Sequence, residues 1–501
     1  MSRTSIFLKN SASTALMNAV TMVAGFIVPR IIMTTYGSEI NGLISSISQF
    51  IAYFNLLEAG IAGAVTWALY KPLAERNIPL INGILVATKN FYNRAGYIFV
   101  ALTLGLAPLY PALVAVESLN TVEVALLVAI LGVSGALEFF TLAKYRALLT
   151  ADQKTYVISL ASTIAIILNT LIIASLAYFA INIVIIRGVA LLAVFLRTAL
   201  LYGYVRQHYR YLDYSVAPAA EQLHKHWDAM YLQILGVVQN GGPIVLATLF
   251  TNLKLVSVYA VYNLILSGLN SLLGIFISGL AASFGDLIAR GERETLKKAY
   301  NEFELSYYLL ITVAYAVAFI TIMPFVQIYT QNVHDIDYNM PLLGFLMVLN
   351  GLLYNIKTPQ GMLVISAGWY RETRNQSTLQ AGILLLGGML LGAKFGLYGI
   401  VWGSILSNLY RDIDLAIFIP RRLLQISPRT TFLRLGLLLV ILLTIYVPCQ
   451  YLEVEIGNLF SWCLYAGAVL CYATAIALGY AYFWQRETLS LIITRLLRLR
   501  K

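Results

Sequence analysis

Basic residues lie inside stretches of the chain that are otherwise apolar. In VIIRGVALLAVFLRTALLYGYV, residues 184–205, Arg187 and Arg197 are surrounded by aliphatic and aromatic residues. A charged side chain at the centre of a bilayer costs about 2.5–3.5 kcal/mol on insertion scales, so such residues usually face a cavity, a partner or a ligand. Arginine binds phosphate through paired hydrogen bonds. The two arginines therefore predict a hydrated, cationic cavity that helps to hold an anionic substrate.

Two more basic residues share this setting and complete the set of candidate phosphate-binding residues: Arg30, Arg187, Arg197 and Lys357. The alternative for Arg30, Arg187 and Lys357 is that they extend along the helix to the headgroups. Arg197 lies about 10 Å of helix from the inner boundary, which makes that alternative less favourable. Arg411, in SNLYRDID beside two aspartates, predicts a local ion pair instead of a ligand site.

Three residues are candidates for ion coupling or gating: Glu58, Glu138 and Asn18. Glu58 lies mid-span in NLLEAGIAGA, and the alternative is a protonated or ion-paired structural carboxylate. Asn18 shares one face of the first apolar stretch with other small or polar residues at helical spacing. That face predicts either the wall of a wet cavity or close packing against another helix.

These residues must be positioned by membrane-spanning helices. The chain has 501 residues, of which 59% are hydrophobic and 11% charged. Apolar runs of about 20 residues recur from end to end, each long enough to cross a bilayer core of about 30 Å. The pattern predicts an all-α polytopic membrane protein with about fourteen helices. They are expected near 11–34, 41–69, 93–114, 121–143, 156–180, 182–204, 229–251, 256–284, 305–329, 340–365, 376–393, 397–419, 432–450 and 459–483.

The charges between these spans predict the orientation. If the loops alternate sides, nearly all of the 34 Lys and Arg fall on the side of the N-terminus or within spans, and only Lys254 and Lys394 fall on the other. Basic loops face the cytoplasm, so both termini are expected there, with the protein in the inner (plasma) membrane. The net charge of +11 follows from this bias and gives no reason to expect nucleic acid as a partner.

A weak internal repeat predicts the domain organisation. VPRIIMTTYG followed by KPLAER is similar to GPIVLATLFT followed by DLIARG about 215 residues later, which is typical of a duplicated helical unit. We expect a six-helix bundle at 1–204, a cytoplasmic linker at 205–228 and a second six-helix bundle at 229–424. An additional helix pair and a basic cytoplasmic tail follow at 425–501.

Several stretches resemble one family in the order in which they occur. GSEINGLISSISQFIAYFNLLEAGIAGAVTWALYKPLAERN and KYRALLTADQKTYVIS resemble the Wzx-type oligosaccharide flippases, polysaccharide biosynthesis proteins of the MATE-like MOP exporter superfamily. GWYRETRNQSTLQAGILL and GLYGIVWGSILSNLYRDID extend the resemblance through the second half. It implies a V-shaped pair of six-helix bundles with two added helices. It also implies a cationic central cavity, and coupling to a proton or sodium gradient.

The resemblance implies a function, and two alternatives stay open. The function is alternating-access transfer of a polyprenyl-diphosphate-linked oligosaccharide to the outer leaflet, for surface polysaccharides such as O-antigen or capsule. Membrane lipids and a polysaccharide polymerase machinery are the expected partners, and no cofactor or catalytic residue is expected. A multidrug or cation antiporter would need a net acidic cavity, whereas the charges within the spans are more basic. A membrane glycan polymerase or ligase would need a larger outer surface than the short outer loops provide.

Overall fold

The computed structural model describes residues 3–58, 61–219, 221, 227–277, 280–451, 454 and 456–491. All regular structure within these residues is helical, which confirms the predicted all-α class. Twelve helical segments of the described part are long and apolar enough to cross a membrane. The protein is therefore a multi-pass membrane protein.

The chain divides into two compact units, Met1–Ala260 and Val261–Lys501. The helices of the first unit are α1 (Arg3–Tyr36), α2 (Ser38–Phe54), α3 (Ile61–Glu75), α4 (Ile78–Leu113), α5 (Thr121–Leu137), α6 (Ala143–Ala151), α7 (Thr155–Tyr178), α8 (Ile183–His208) and α9 (Trp227–Phe250). The division falls inside the next helix, α10 (Leu253–Ile277).

The helices that follow belong to the second unit. They are α11 (Leu280–Ala289), α12 (Arg293–Thr330), α13 (Pro341–Ile356), α14 (Thr358–Ala367), α15 (Arg374–Gly382), α16 (Gly388–Ile419), α17 (Arg429–Cys449) and α18 (Leu459–Trp484). The predicted additional helix pair corresponds to α17 and α18. Both pack on α12 through a shared apolar cluster that includes Ala316, Ile441 and Ala473.

Two differences from the predicted spans change the number of long helical segments. A further one does not: the predicted span 41–69 is divided into α2, a 3₁₀ turn and α3. The predicted span 340–365 is divided at Lys357 into α13 and α14, each shorter than the roughly 20 residues that a span needs. The predicted spans 376–393 and 397–419 form one continuous segment, Arg374–Leu424, which turns back on itself at Gly396. Gly396 has φ 56°, a conformation that glycine adopts without a steric penalty. One broken helix and one helical hairpin therefore account for twelve long segments in place of fourteen.

The predicted linker at 205–228 is partly held by the first unit. The Nδ2 of Asn82 donates to the carbonyl of Tyr211 at 3.1 Å, and the backbone N–H of Ala219 donates to the carbonyl of Gly83 at 2.9 Å. Both contacts fix the segment after α8 to the start of α4. Residues 220 and 222–226 lie outside the described residues, and the predicted domain boundaries stay a prediction.

Two of the apolar clusters in the first unit are separated along the chain by irregular turns. One cluster includes Leu43 of α2 and Leu127 of α5, and the other includes Leu69 of α3 and Leu148 of α6. A 3₁₀ turn, Asn55–Glu58, follows α2, and a π-helical turn, Glu138–Leu142, joins α5 to α6. Each turn therefore lies between a helix of the first cluster and the following helix, which belongs to the second cluster.

Candidate functional site

Four charged side chains form a continuous series of ion pairs at these turns: Glu58, Arg146, Glu138 and Arg197. Arg146 Nη2 lies 3.0 Å from Glu58 Oε1, and Arg146 Nη1 lies 3.3 Å from Glu138 Oε2. Glu138 Oε1 pairs in turn with Arg197 Nη2. The four side chains are between 19% and 35% exposed. This series is referred to below as the charge chain.

The π-helical turn explains why Glu138 and Arg146 meet. At about 100° per residue, eight residues of regular α-helix would place Arg146 roughly 80° around the helix from Glu138. A π turn accommodates one extra residue, so the offset falls to about 20°. Glu138 is the first residue of that turn. The interruption therefore aligns the two side chains on one face.

Glu58 is the anchored end of the charge chain. The hydroxyl of Tyr92, a buried residue of α4, donates to Glu58 Oε1 at 3.0 Å. Arg146 Nη2 also donates to the second carboxylate oxygen of Glu58 at 3.1 Å. A carboxylate that accepts from a buried hydroxyl and a guanidinium is held in one position. Arg197, at the other end, faces a cavity.

The cavity lies within the first unit, between α5, α7 and α8, and has a volume of about 190 Å³. Its charged lining residues are Glu138, Arg187 and Arg197, and the polar ones include Ser134 and Asn169. Arg187 and Arg197 are ten residues apart on α8, which corresponds to about 15 Å of helix. Since both line the same cavity, it extends along α8 and has a cation toward each end.

The charges that line this cavity do not cancel. Glu138 is the one carboxylate among its lining residues, and it pairs with Arg197. Within the described residues no carboxylate lies within ion-pair distance of Arg187, and the Nε atoms of Arg187 and Arg197 have no hydrogen-bond partner. A guanidinium with free donors in a partly dry site is a binding group for an anion. The cavity is therefore cationic, with Arg187 its least compensated group.

The remaining candidates from the sequence lie elsewhere. Arg30 is half-buried on α1 and is not among the residues that line the cavity. Asn18 is exposed on α1. The face of α1 that carries Asn18 meets α7 nearer the N-terminus of α1, where the hydroxyls of Thr14 and Ser159 are 3.2 Å apart. A site that combines Arg30 with Arg187 and Arg197 stays a prediction.

Lys357 belongs to the second unit and has neutral partners there. Its ammonium donates to Asn408 Oδ1 at 2.7 Å and lies 4.7 Å from the centre of the Tyr354 ring. Asn408 Nδ2 donates to Asn350 Oδ1 at 2.9 Å. On the same helix, Arg411 pairs with Asp414 at 2.5 Å, which confirms the local ion pair expected for Arg411.

The second unit also contains a fully buried ion pair. Arg434 Nη1 of α17 lies 2.7 Å from Glu304 Oε2 of α12, and both side chains are 2% exposed. Neutral donors complete the coordination of Glu304, among them Thr431 at 2.8 Å and Gln360 at 3.0 Å. The pair therefore fixes the additional helix pair to the second unit.

Three further paired residues are not predicted from the sequence: Arg146, Glu304 and Arg434. Arg146 lies in KYRALLTADQK, which the charge pattern assigned to a cytoplasmic loop, whereas the structure continues the helical segment from Thr121 to Ala151. Glu304 and Arg434 lie at predicted span boundaries, where charges are expected anyway. On a regular helix the spacing of eight residues would not align Glu138 with Arg146, so the sequence carried no direct signal for this pair.

Comparisons with known proteins identify solved structures that have a similar fold. No family model and no curated protein matches the chain. Among solved structures, an inward-facing multidrug resistance MATE transporter of the MOP superfamily is similar, with 13% identity and a TM-score of 0.67 over 81% of this chain and 98% of that one. The lipid II flippase MurJ, in an inward closed conformation, is 12% identical, with a TM-score of 0.67 over 95% of this chain and 99% of that one. A MOP superfamily transporter from Pyrococcus furiosus is 13% identical, with a TM-score of 0.52 over 83% and 95%. The chain thus has the fold of the MOP superfamily transporters.

Proposed function

We propose that the protein is a flippase that carries a polyprenyl-diphosphate-linked oligosaccharide from the cytoplasmic to the outer leaflet by alternating access. The cargo would serve assembly of a surface polysaccharide, together with polymerase machinery in the same inner (plasma) membrane. Both termini would be cytoplasmic, as the charge asymmetry of the loops predicts.

One observation carries this proposal: the cationic cavity beside α8. Two guanidinium groups, Arg187 and Arg197, line it against a single carboxylate, Glu138. Its volume of about 190 Å³ is below the roughly 300–1,000 Å³ typical of sites for drug-sized ligands. Such a cavity suits a compact anionic group, and a diphosphate is one. The sugars and the lipid would have to lie outside it.

The fold supports the same proposal. One structure that shares it is that of a lipid II flippase, so the fold is compatible with a lipid-linked cargo. Another belongs to a multidrug transporter, and export of an organic cation is the alternative function. A cation bound in this cavity would need an uncompensated carboxylate among the lining residues. Glu58 and Glu138 are both paired with arginines, which favours an anionic cargo.

The test measures binding of inorganic diphosphate to the purified full-length protein by isothermal titration calorimetry. Arg187→Gln should weaken binding by at least about tenfold, or roughly 1.4 kcal/mol, because it removes the least compensated cation without breaking an ion pair. Arg187→Lys should retain part of the affinity. The control is Arg290→Gln, which removes an exposed arginine paired with Asp286 at 3.0 Å.

The cellular counterpart is surface glycan assembly in cells that carry Arg197→Ala or Arg197→Lys. We expect alanine to abolish assembly at normal protein level and lysine to restore it in part, because Arg197 faces the cavity and lysine keeps the charge. Equal diphosphate binding by all variants, together with normal glycan, would refute the proposal. Tighter binding of an organic cation than of diphosphate would instead support the cation exporter.

A further inference from the structure

Asp412 of α16 is a buried carboxylate with no hydrogen-bond partner. The residue is 4% exposed, and within the described residues neither Oδ1 nor Oδ2 has a donor. Its neighbour Arg411 is engaged by Asp414, so the nearest guanidinium on the same helix is not shared with Asp412. An ionised carboxylate in such a place would lose its hydration without any replacement, whereas a protonated one would lose far less.

Lys357 is the basic group placed to compensate Asp412. It lies at the break between α13 and α14, and its charge acts on Asp412 although its ammonium donates to Asn408. Asn408 and Asp412 are four residues apart on α16, so they occupy the same face one turn apart, about 6 Å along the axis. A change of side-chain rotamer at the helix break could carry the ammonium from one to the other.

The other titratable groups around Asp412 are engaged elsewhere. Tyr308 of α12 is close enough to interact electrostatically with Asp412, but its hydroxyl accepts from Gln360 Nε2 at 3.0 Å. The same Gln360 nitrogen donates to Glu304, which is paired with Arg434. Lys357 can thus change partners without breaking an existing ion pair.

We propose that Asp412 is a proton-binding site and that Lys357 is its alternate partner. In the conformation of the structure Asp412 carries a proton and Lys357 is held by Asn408. When the carboxylic acid of Asp412 releases its proton, the ammonium of Lys357 leaves Asn408 Oδ1 and forms an ion pair with the carboxylate. The break between α13 and α14 would move with it. The inference rests on the proposed function only for its role in transport, where it would link proton release to the transport cycle.

A proton fits this site better than a metal cation. Asn408 Oδ1 already accepts from Lys357, and Asn350 Oδ1 accepts from Asn408 Nδ2. These amide oxygens would otherwise be the natural ligands of a hard cation such as sodium. A cation beside Asp412 would also be repelled by the ammonium, whereas proton binding removes the negative charge without adding a second positive centre.

The test is infrared spectroscopy of the purified full-length protein in H₂O and D₂O over a range of pH. A protonated carboxyl group has a carbonyl-stretch band separate from the amide bands and shifted in D₂O. We expect one such band to be absent from Asp412→Asn and present in the control Asp286→Asn, which replaces an exposed carboxylate. In Lys357→Gln, which keeps a donor for Asn408 but removes the charge, the band should persist to higher pH. The control for that substitution is Lys394→Gln.

Two results would overturn the proposal. If Asp412→Asn removes no band at any pH at which the protein is folded, Asp412 does not carry the proton. If the band disappears at the same pH in Lys357→Gln as in the unaltered protein, Lys357 is not its partner. No cargo is present in these measurements, so their outcome is independent of whether diphosphate binds at Arg187.

Discussion

Each of the two units holds ion pairs within its membrane-spanning helices, and the pairs differ in how deeply they are buried. The side chains of the charge chain are between 19% and 35% exposed, and Arg197 opens onto a cavity. The Glu304–Arg434 pair is 2% exposed on both sides and is surrounded by neutral donors. A buried network in which most polar groups are satisfied holds its members in one arrangement, whereas a more exposed series can exchange partners. The comparison distinguishes the structural role of the Glu304–Arg434 pair from the binding role proposed for the cavity of the first unit.

The largest expected effect is a loss of stability in Glu304→Gln. The substitution leaves the Arg434 guanidinium buried without its counter-charge, which typically costs about 3–5 kcal/mol. We expect a clearly lower thermal unfolding midpoint for the detergent-purified protein. A double variant, Glu304→Leu with Arg434→Met, should recover much of that loss because it removes both charges together. An unchanged midpoint in Glu304→Gln would contradict the structural role.

A smaller loss of stability is expected for Arg146→Gln, although this substitution breaks two ion pairs. Glu58 and Glu138 would lose their shared cation, but both are partly exposed, so the loss should be about 1–3 kcal/mol. The thermal unfolding midpoint is the measurement here too, and Arg290→Gln is the control because its ion pair is exposed. If Arg146→Gln lowers the midpoint as much as Glu304→Gln does, the distinction between the two regions fails.

Some features of the two regions could be predicted from the sequence and others could not. Hydropathy and loop charge predicted the all-α membrane class, because both depend on composition along the chain. Hydropathy and loop charge did not distinguish a broken helix at Lys357 or a hairpin at Gly396 from ordinary spans, since both depend on local backbone features. Pro359 follows the first break, and Gly396 has φ 56° at the second. Hydropathy placed Arg187 and Arg197 in apolar helix, where both line one cavity.

The sequence did not predict which charged side chains form ion pairs with each other. Arg146 was assigned to a loop because a basic residue near a span end is also a topology signal. Its pairing with Glu138 depends on one extra residue in a π turn, which hydropathy does not detect. Glu304 and Arg434 are separated by 130 residues in the chain, and only tertiary packing brings them together.

The smallest expected effect is a gain in affinity for diphosphate, and it tests most directly whether the charge chain can exchange partners. Glu138→Gln removes the one carboxylate among the residues that line the cavity and releases Arg197 from its partner. Diphosphate should then bind more tightly, by up to about tenfold, or roughly 1.4 kcal/mol, because the anion no longer competes with Glu138. Glu58→Gln is the matched control. It neutralises the anchored end of the charge chain, which does not line the cavity, and its effect on affinity should be much smaller. Weaker binding in Glu138→Gln would mean that Glu138 is required to orient Arg197. The charge chain would then be a fixed structure like the Glu304–Arg434 pair, and not an exchangeable one.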